Sequence, residues 1–167
     1  MFEKILEVCR QRGWLKAHGK QRTDSTHIVA AVHRLNRVEL VGEAIFHALD
    51  VLAQVDRAWL QAHIPADWID RYRQRRSGFR LPKSEKAQLE LALTIGQDGL
   101  QLMTTIYDPA APEYLRRLPA VEVMRRIWLQ NYCLDDARLC WREDADCPPC
   151  HLRLTSPYDE EARLNTK

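Results

Sequence analysis

The chain has 167 residues, 46% hydrophobic and 29% charged, and its 25 Lys and Arg against 23 Asp and Glu leave a net charge of +2. That composition excludes wholesale disorder, collagen-like sequence and coiled-coil fibre, and a chain of about this length buries roughly two thirds of its unfolded surface on folding. No stretch reaches the roughly 18 to 20 apolar residues of a membrane helix, and acids and bases run through the opening MFEKILEVCRQR, so a cytoplasmic chain with reduced cysteines and no membrane partner is expected.

In chain order, Phe2, Ile5, Leu6 and Cys9 recur at helical spacing ahead of Gly13 and predict a helix over residues 2–12. Residues 20–24 predict a short strand. The pattern then turns helical, with Ile28, Val32 and Leu35 on one face. A longer amphipathic helix follows over residues 36–54, where Val41, Ile45, Leu49, Leu52 and Val55 recur at three and four residues. Pro65 and Asp67 mark a fresh helix start near Ala66, and Ser77-Gly78 breaks that helix. Ser84 is an N-cap for a run from Glu85 to Ile95, which Gly96 and Gly99 weaken by about 1 kcal/mol each without forbidding its continuation. Asp108-Pro109-Ala110-Ala111-Pro112 is a loop, and Pro119 opens a helix carrying Val121, Met124, Trp128, Leu129 and Tyr132. Beyond Cys133 the texture changes to acids, prolines and short apolar pairs, and the alternation from His151 to Thr155 predicts a strand. The sum is five or six helices with a little strand at two separated places, too little for a sheet that stands alone.

The polar cluster Arg22-Thr23-Asp24-Ser25-Thr26-His27 is the first candidate for chemistry. A carboxylate at the end of a strand can help hold Mg²⁺ for phosphoryl transfer, although Asp24, Ser25 or Thr26 serves equally as the cap of the following helix. A Ser25–His27 hydrolytic pair lacks the Gly-flanked turn that exposes a nucleophile. Arg71, Arg73, Arg75, Arg76, Arg80 and Lys83 form an acid-free stretch interleaved with Tyr72 and Phe79, which fits contact with DNA phosphates or, equally, a solvated helix end. Cys147-Pro148-Pro149-Cys150-His151 has the form of a haem-attachment site or half a zinc site. It has neither an export signal nor a second cysteine pair at knuckle spacing, so no zinc or haem is assigned to it. The five Trp lie mostly on apolar helix faces, where packing is the ordinary explanation.

The run from Gly19 to Val32 (GKQRTDSTHIVAAV), continued by Arg34-Leu35-Asn36-Arg37-Val38-Glu39-Leu40-Val41-Gly42-Glu43, resembles the central part of bacterial insertion-sequence transposases of the DDE type. Arg80-Leu81-Pro82-Lys83, Thr94-Ile95-Gly96-Gln97-Asp98-Gly99, Leu118-Pro119-Ala120-Val121-Glu122 and Ser156-Pro157-Tyr158-Asp159 resemble the same family in the same order, so the likeness covers almost the whole chain. It implies an RNase H-like catalytic domain whose first strand ends at Asp24, the first of three acids holding two Mg²⁺ or Mn²⁺ ions. It also implies that element-end DNA is the partner.

The expected fold is mainly α: a helical insertion bundle with one or two short strands left from the RNase H-like α/β domain. Residues 1–27 would be the N-terminal helix and first catalytic strand, 28–134 the helical insertion, and 135–167 an irregular acidic, proline-rich segment with a short strand. The second and third acids of the family lie past the Ser-Pro-Tyr-Asp segment, so Asp159, Glu160 and Glu161 do not stand in for them. The expected function is therefore a transposase fragment truncated at both ends, inactive alone and holding no metal tightly. It would pair with itself or with full-length transposase. The alternative is a stand-alone helical interaction or regulatory module that binds full-length transposase or DNA.

Overall fold

The computed structural model describes residues 25–76, 82 and 84–158. The helix expected over residues 2–12, the strand expected over 20–24 and the break at Ser77-Gly78 lie outside these. The chain divides into two compact units, Met1–Ala31 and Val32–Lys167. Of the first, the described residues are the opening turns of a helix; the second holds the rest of the described fold.

That second unit is mainly helical. The first helix, α1 (Ser25–Val55), is a single element of 31 residues where the sequence pattern suggested two. No proline lies between Ser25 and Val55, and the stripe Val38, Val41, Ile45, Ala48, Leu49 and Leu52 is buried along one face, so nothing at Asn36 interrupts the helix. Asp56 ends it and caps α2 (Arg57–His63), a short helix that the sequence reading did not separate. The Asp56 carboxylate accepts from the Trp59 N–H at 2.9 Å and from the Tyr114 hydroxyl at 2.5 Å. The Tyr114 bond first, and the Trp59 bond after it, hold this carboxyl below its ordinary range.

The next three helices begin where their caps predicted. Helix α3 (Ala66–Arg76) buries Trp68 and Tyr72. Helix α4 (Glu85–Ile106) starts at Ser84, whose Oγ accepts from the Ala87 N–H at 3.3 Å. It runs straight through Gly96 and Gly99. A 3₁₀ turn over Glu113–Arg117 leads to α5 (Pro119–Asn131), with the proline in its first turn.

The two glycines are contact surfaces. A Cβ at Gly96 would lie 2.4 Å from Tyr132 Cε1, and one at Gly99 would lie 2.8 Å from Trp128 Cδ1. Without side chains there, both rings seat on the helix backbone. Trp128 Nε1 donates to the Gly96 carbonyl at 2.8 Å, and the Tyr132 hydroxyl donates to the Ala92 carbonyl at 2.7 Å. Each buried ring therefore has its polar atom satisfied.

The strands are not where the alternation placed them. Tyr132–Asp135 (β1) and Arg138–Trp141 (β2) pair antiparallel, with Tyr132 opposite Trp141 and Cys133 opposite Cys140. Asp136 (φ 44°) and Ala137 (φ 64°) make the two-residue turn, both in the left-handed region, as a type I′ hairpin requires. The strand expected over residues 151–155 is instead a 3₁₀ turn, Cys150–Leu152, followed by irregular chain. The reason is visible at Leu154. Its N–H donates to Gln130 Oε1 at 2.9 Å and its carbonyl accepts from Gln130 Nε2 at 3.0 Å, so one side-chain amide takes the place of a neighbouring strand. Among the described residues, no helix is long and apolar enough to cross a membrane.

Candidate functional site

The best-formed polar centre of the described structure is built around Arg37, one residue ahead of the buried stripe of α1. Its side chain is only 8% exposed. The guanidinium donates through Nε to Asn131 Oδ1 at 2.9 Å, through Nη1 to Asp144 Oδ1 at 2.6 Å and through Nη2 to the Arg142 carbonyl at 2.9 Å. Its plane also lies 4.5 Å from the centre of the Trp141 ring. A flat, always-charged fork with a stacking face suits this place, and a lysine could not reproduce it. Asn131 is fixed in turn, its Nδ2 donating to the Ile127 carbonyl at 2.8 Å.

The neighbouring Arg142 closes the end of α5. Its Nε donates to the carbonyls of Tyr132 at 2.9 Å and Leu129 at 3.2 Å, oxygens that the helix end would otherwise leave without partners. Arg37 and Arg142 together tie α1, the end of α5, β2 and the turn Asp144–Asp146 into one joint.

Beside Arg37 lies a cavity of about 480 Å³, whose walls include Leu40, Glu43, Cys147, Leu154, Pro157 and Tyr158. The Tyr158 hydroxyl donates to Glu43 Oε2 at 2.7 Å, and its ring meets His47 edge-on at 4.8 Å. Burial pushes the Cys147 thiol up, against the opposing pull of Arg37 and Arg153, and its Sγ donates to the Glu143 carbonyl at 3.4 Å. A thiol so placed is a poor nucleophile. Chemically the cavity offers an apolar wall with a few polar groups already engaged, and the segment after residue 150 forms one side of it.

Of the residues singled out from the sequence, Asp24, Arg80 and Lys83 lie outside the described residues. So do the side chains of Arg73, Arg75 and Arg76, whose backbone forms the end of α3. Arg71 faces α4: Nη1 donates to Asp98 Oδ2 at 2.8 Å and Nη2 to Asp67 Oδ2 at 2.6 Å, while the Tyr72 hydroxyl reaches the same Asp98 oxygen at 2.7 Å. The basic stretch thus begins with an arginine that fastens α3 to α4, and its partner Asp98 was not evident from the sequence.

Cys147 and Cys150 are both half-buried, and among the described residues no group of three or more His, Cys, Asp or Glu side chains is placed to hold a metal ion. Arg37 was likewise not evident as a centre, because its partners are 94 to 107 residues away along the chain. Comparison of the chain with protein-family models, with known proteins and with solved structures finds no match.

Proposed function

We propose that the chain is part of a bacterial insertion-sequence transposase of the DDE type, contributing Asp24 and the helical body that follows it. The observation that carries this reading is where the transposase-like segments fall. Glu43 and Tyr158, 115 residues apart, belong to two of those segments and bond to each other. The segment Thr94–Gly99 supplies both glycines on which Trp128 and Tyr132 rest. The segment starting at Leu118 sets the first turn of α5. A chance likeness has no reason to select residues that hold the same fold together.

In this reading residues 28–134 are the helical insertion of an RNase H-like catalytic domain, and Arg73, Arg75, Arg76, Arg80 and Lys83 face DNA phosphates. Asp24 with two further acids would hold Mg²⁺ or Mn²⁺, which would supply Lewis acidity for attack on a phosphate. Residues 1–167 carry one of the three acids, so they do not cut DNA by themselves.

The test is reconstitution. Element-end DNA incubated with residues 1–167 and Mn²⁺ should stay intact. Adding a polypeptide that carries the second and third acids should bring nicking, and Asp24→Ala should abolish it. Nicking by residues 1–167 alone, or nicking of the mixture unaffected by Asp24→Ala, would overturn the assignment. A chain that only raises or lowers the activity of an intact transposase is a regulatory module instead.

A further inference from the structure

We propose that Cys133 and Cys140 are a redox-sensitive pair that forms a reversible cross-strand disulfide by exchange with a small-molecule disulfide of the glutathione type. The two residues face each other across the β1–β2 hairpin. The Asn131 carbonyl accepts from the Arg142 N–H at 2.9 Å, which fixes the alternation of the ladder and makes Cys133 and Cys140 a hydrogen-bonded pair. Residues so paired have Cα atoms about 5.5 Å apart, inside the roughly 4.4 to 6.8 Å that a disulfide spans, and their side chains leave the sheet on the same face.

One sulfur already leans across the ladder, while the other lies along its own strand. Cys133 Sγ lies 3.9 Å from the Cys140 carbonyl, across the ladder, and Cys140 Sγ lies 3.7 Å from the Arg138 carbonyl. Both residues are half-buried, so a small oxidant reaches them. Cβ atoms of a hydrogen-bonded pair sit toward about 5.5 Å apart and a disulfide needs about 3.5 to 4.5 Å, so the strands draw together by about 1 Å or more on closure. That strain keeps the link easy to reduce, as a reversible switch requires.

The chemistry balances with the oxidant named. One protein thiolate attacks the glutathione disulfide, forming a mixed disulfide and expelling one glutathione thiolate. The second cysteine then attacks the protein sulfur of the mixed disulfide, forming the Cys133–Cys140 bond and expelling the second glutathione. Two protein thiols are oxidised, one small disulfide is reduced, and the two protons leave on the two glutathione thiols.

Cys147 and Cys150 are the competing pair, and the backbone argues against them. Cys147 (φ −74°, ψ 151°) and Pro149 (φ −52°, ψ 143°) are in polyproline-like conformation. That geometry sets residues three apart at about 9 Å, beyond a disulfide's reach. Closure at Cys133–Cys140 matters to the rest of the molecule because the hairpin carries Trp141, which stacks on Arg37, and leads directly into Arg142.

The experiment equilibrates the full chain with mixtures of reduced and oxidised glutathione, traps free thiols with an alkylating agent and digests with trypsin. Cleavage after Arg138 separates the two cysteines, so a disulfide between them joins the peptides 127–138 and 139–142. The expected result is that joined pair, appearing as the oxidised fraction rises, disappearing on return to reduced glutathione, and unaffected by Cys147→Ser or Cys150→Ser. Mixed disulfides with glutathione at Cys133 and Cys140 in place of the joined pair would overturn the proposal. So would links from either residue to Cys147 or Cys150, or a link between two chains. The Cys140→Ser variant should show only a glutathione adduct at Cys133.

Discussion

Two joints of the described fold work by opposite means. Where α4, α5 and β1 meet, the edges of Trp128 and Tyr132 press against a helix stripped of side chains at Gly96 and Gly99, and each ring spends its single polar atom on a backbone carbonyl of α4. Where α1 meets β2 and the segment after it, a charged guanidinium is buried and surrounded by an amide, a carboxylate, a carbonyl and an indole face. The first joint depends on shape, since apolar area and close packing supply nearly all of its stability. The second depends on a matched set of partners, since an arginine out of water is tolerated only when its donors are engaged.

The largest expected effect is on the first joint. Trp128→Ala removes a buried indole and leaves a cavity, which should cost about 3 to 5 kcal/mol, read as a lower urea midpoint. Arg37→Met keeps the length and the stacking contact with Trp141 while removing every donor. It should cost about 2 kcal/mol by the same measurement, chiefly because Asn131 and the Arg142 carbonyl lose their partner. The ion pair itself adds little, because the Asp144 side chain is 53% exposed. If Arg37→Met proves as damaging as Trp128→Ala, the contrast between a joint of shape and a joint of partners fails. The smallest effect is a gain at the hairpin that links the two. Ala137 has φ 64°, a conformation that costs a residue with a Cβ about 1 kcal/mol relative to glycine, so Ala137→Gly should raise the midpoint by about that much.

The same hairpin explains what could not be read in advance. Its turn is Asp136-Ala137, without the glycine that normally marks a type I′ turn, so nothing local announced it. The alternation over residues 151–155 did announce a strand, and the Gln130 side chain took the backbone bonds that a strand neighbour would have made. Gly96 and Gly99 looked like weak points of a helix, because their value lies in two rings about 30 residues later in the chain. In the last two of these cases the deciding partner was distant along the chain. Asp24, Arg80, Lys83 and the side chains of Arg73, Arg75 and Arg76, which the sequence pointed to for chemistry, lie outside what is described, whereas Arg71 proved to be bound to Asp67 and Asp98.

The sequence alone determined a mainly helical chain and the starts of α3, α4 and α5. Those starts rest on Pro65 and Asp67, on Ser84 and on Pro119, and a helix start is a local event governed by one or two residues beside free N–H groups. Only the tertiary structure decided that α1 is unbroken, that the single described sheet is the 132–141 hairpin, and that Arg37 is a hub. A buried charge and a seated ring each need a partner, and which partner arrives is fixed only when segments far apart in the chain are packed together.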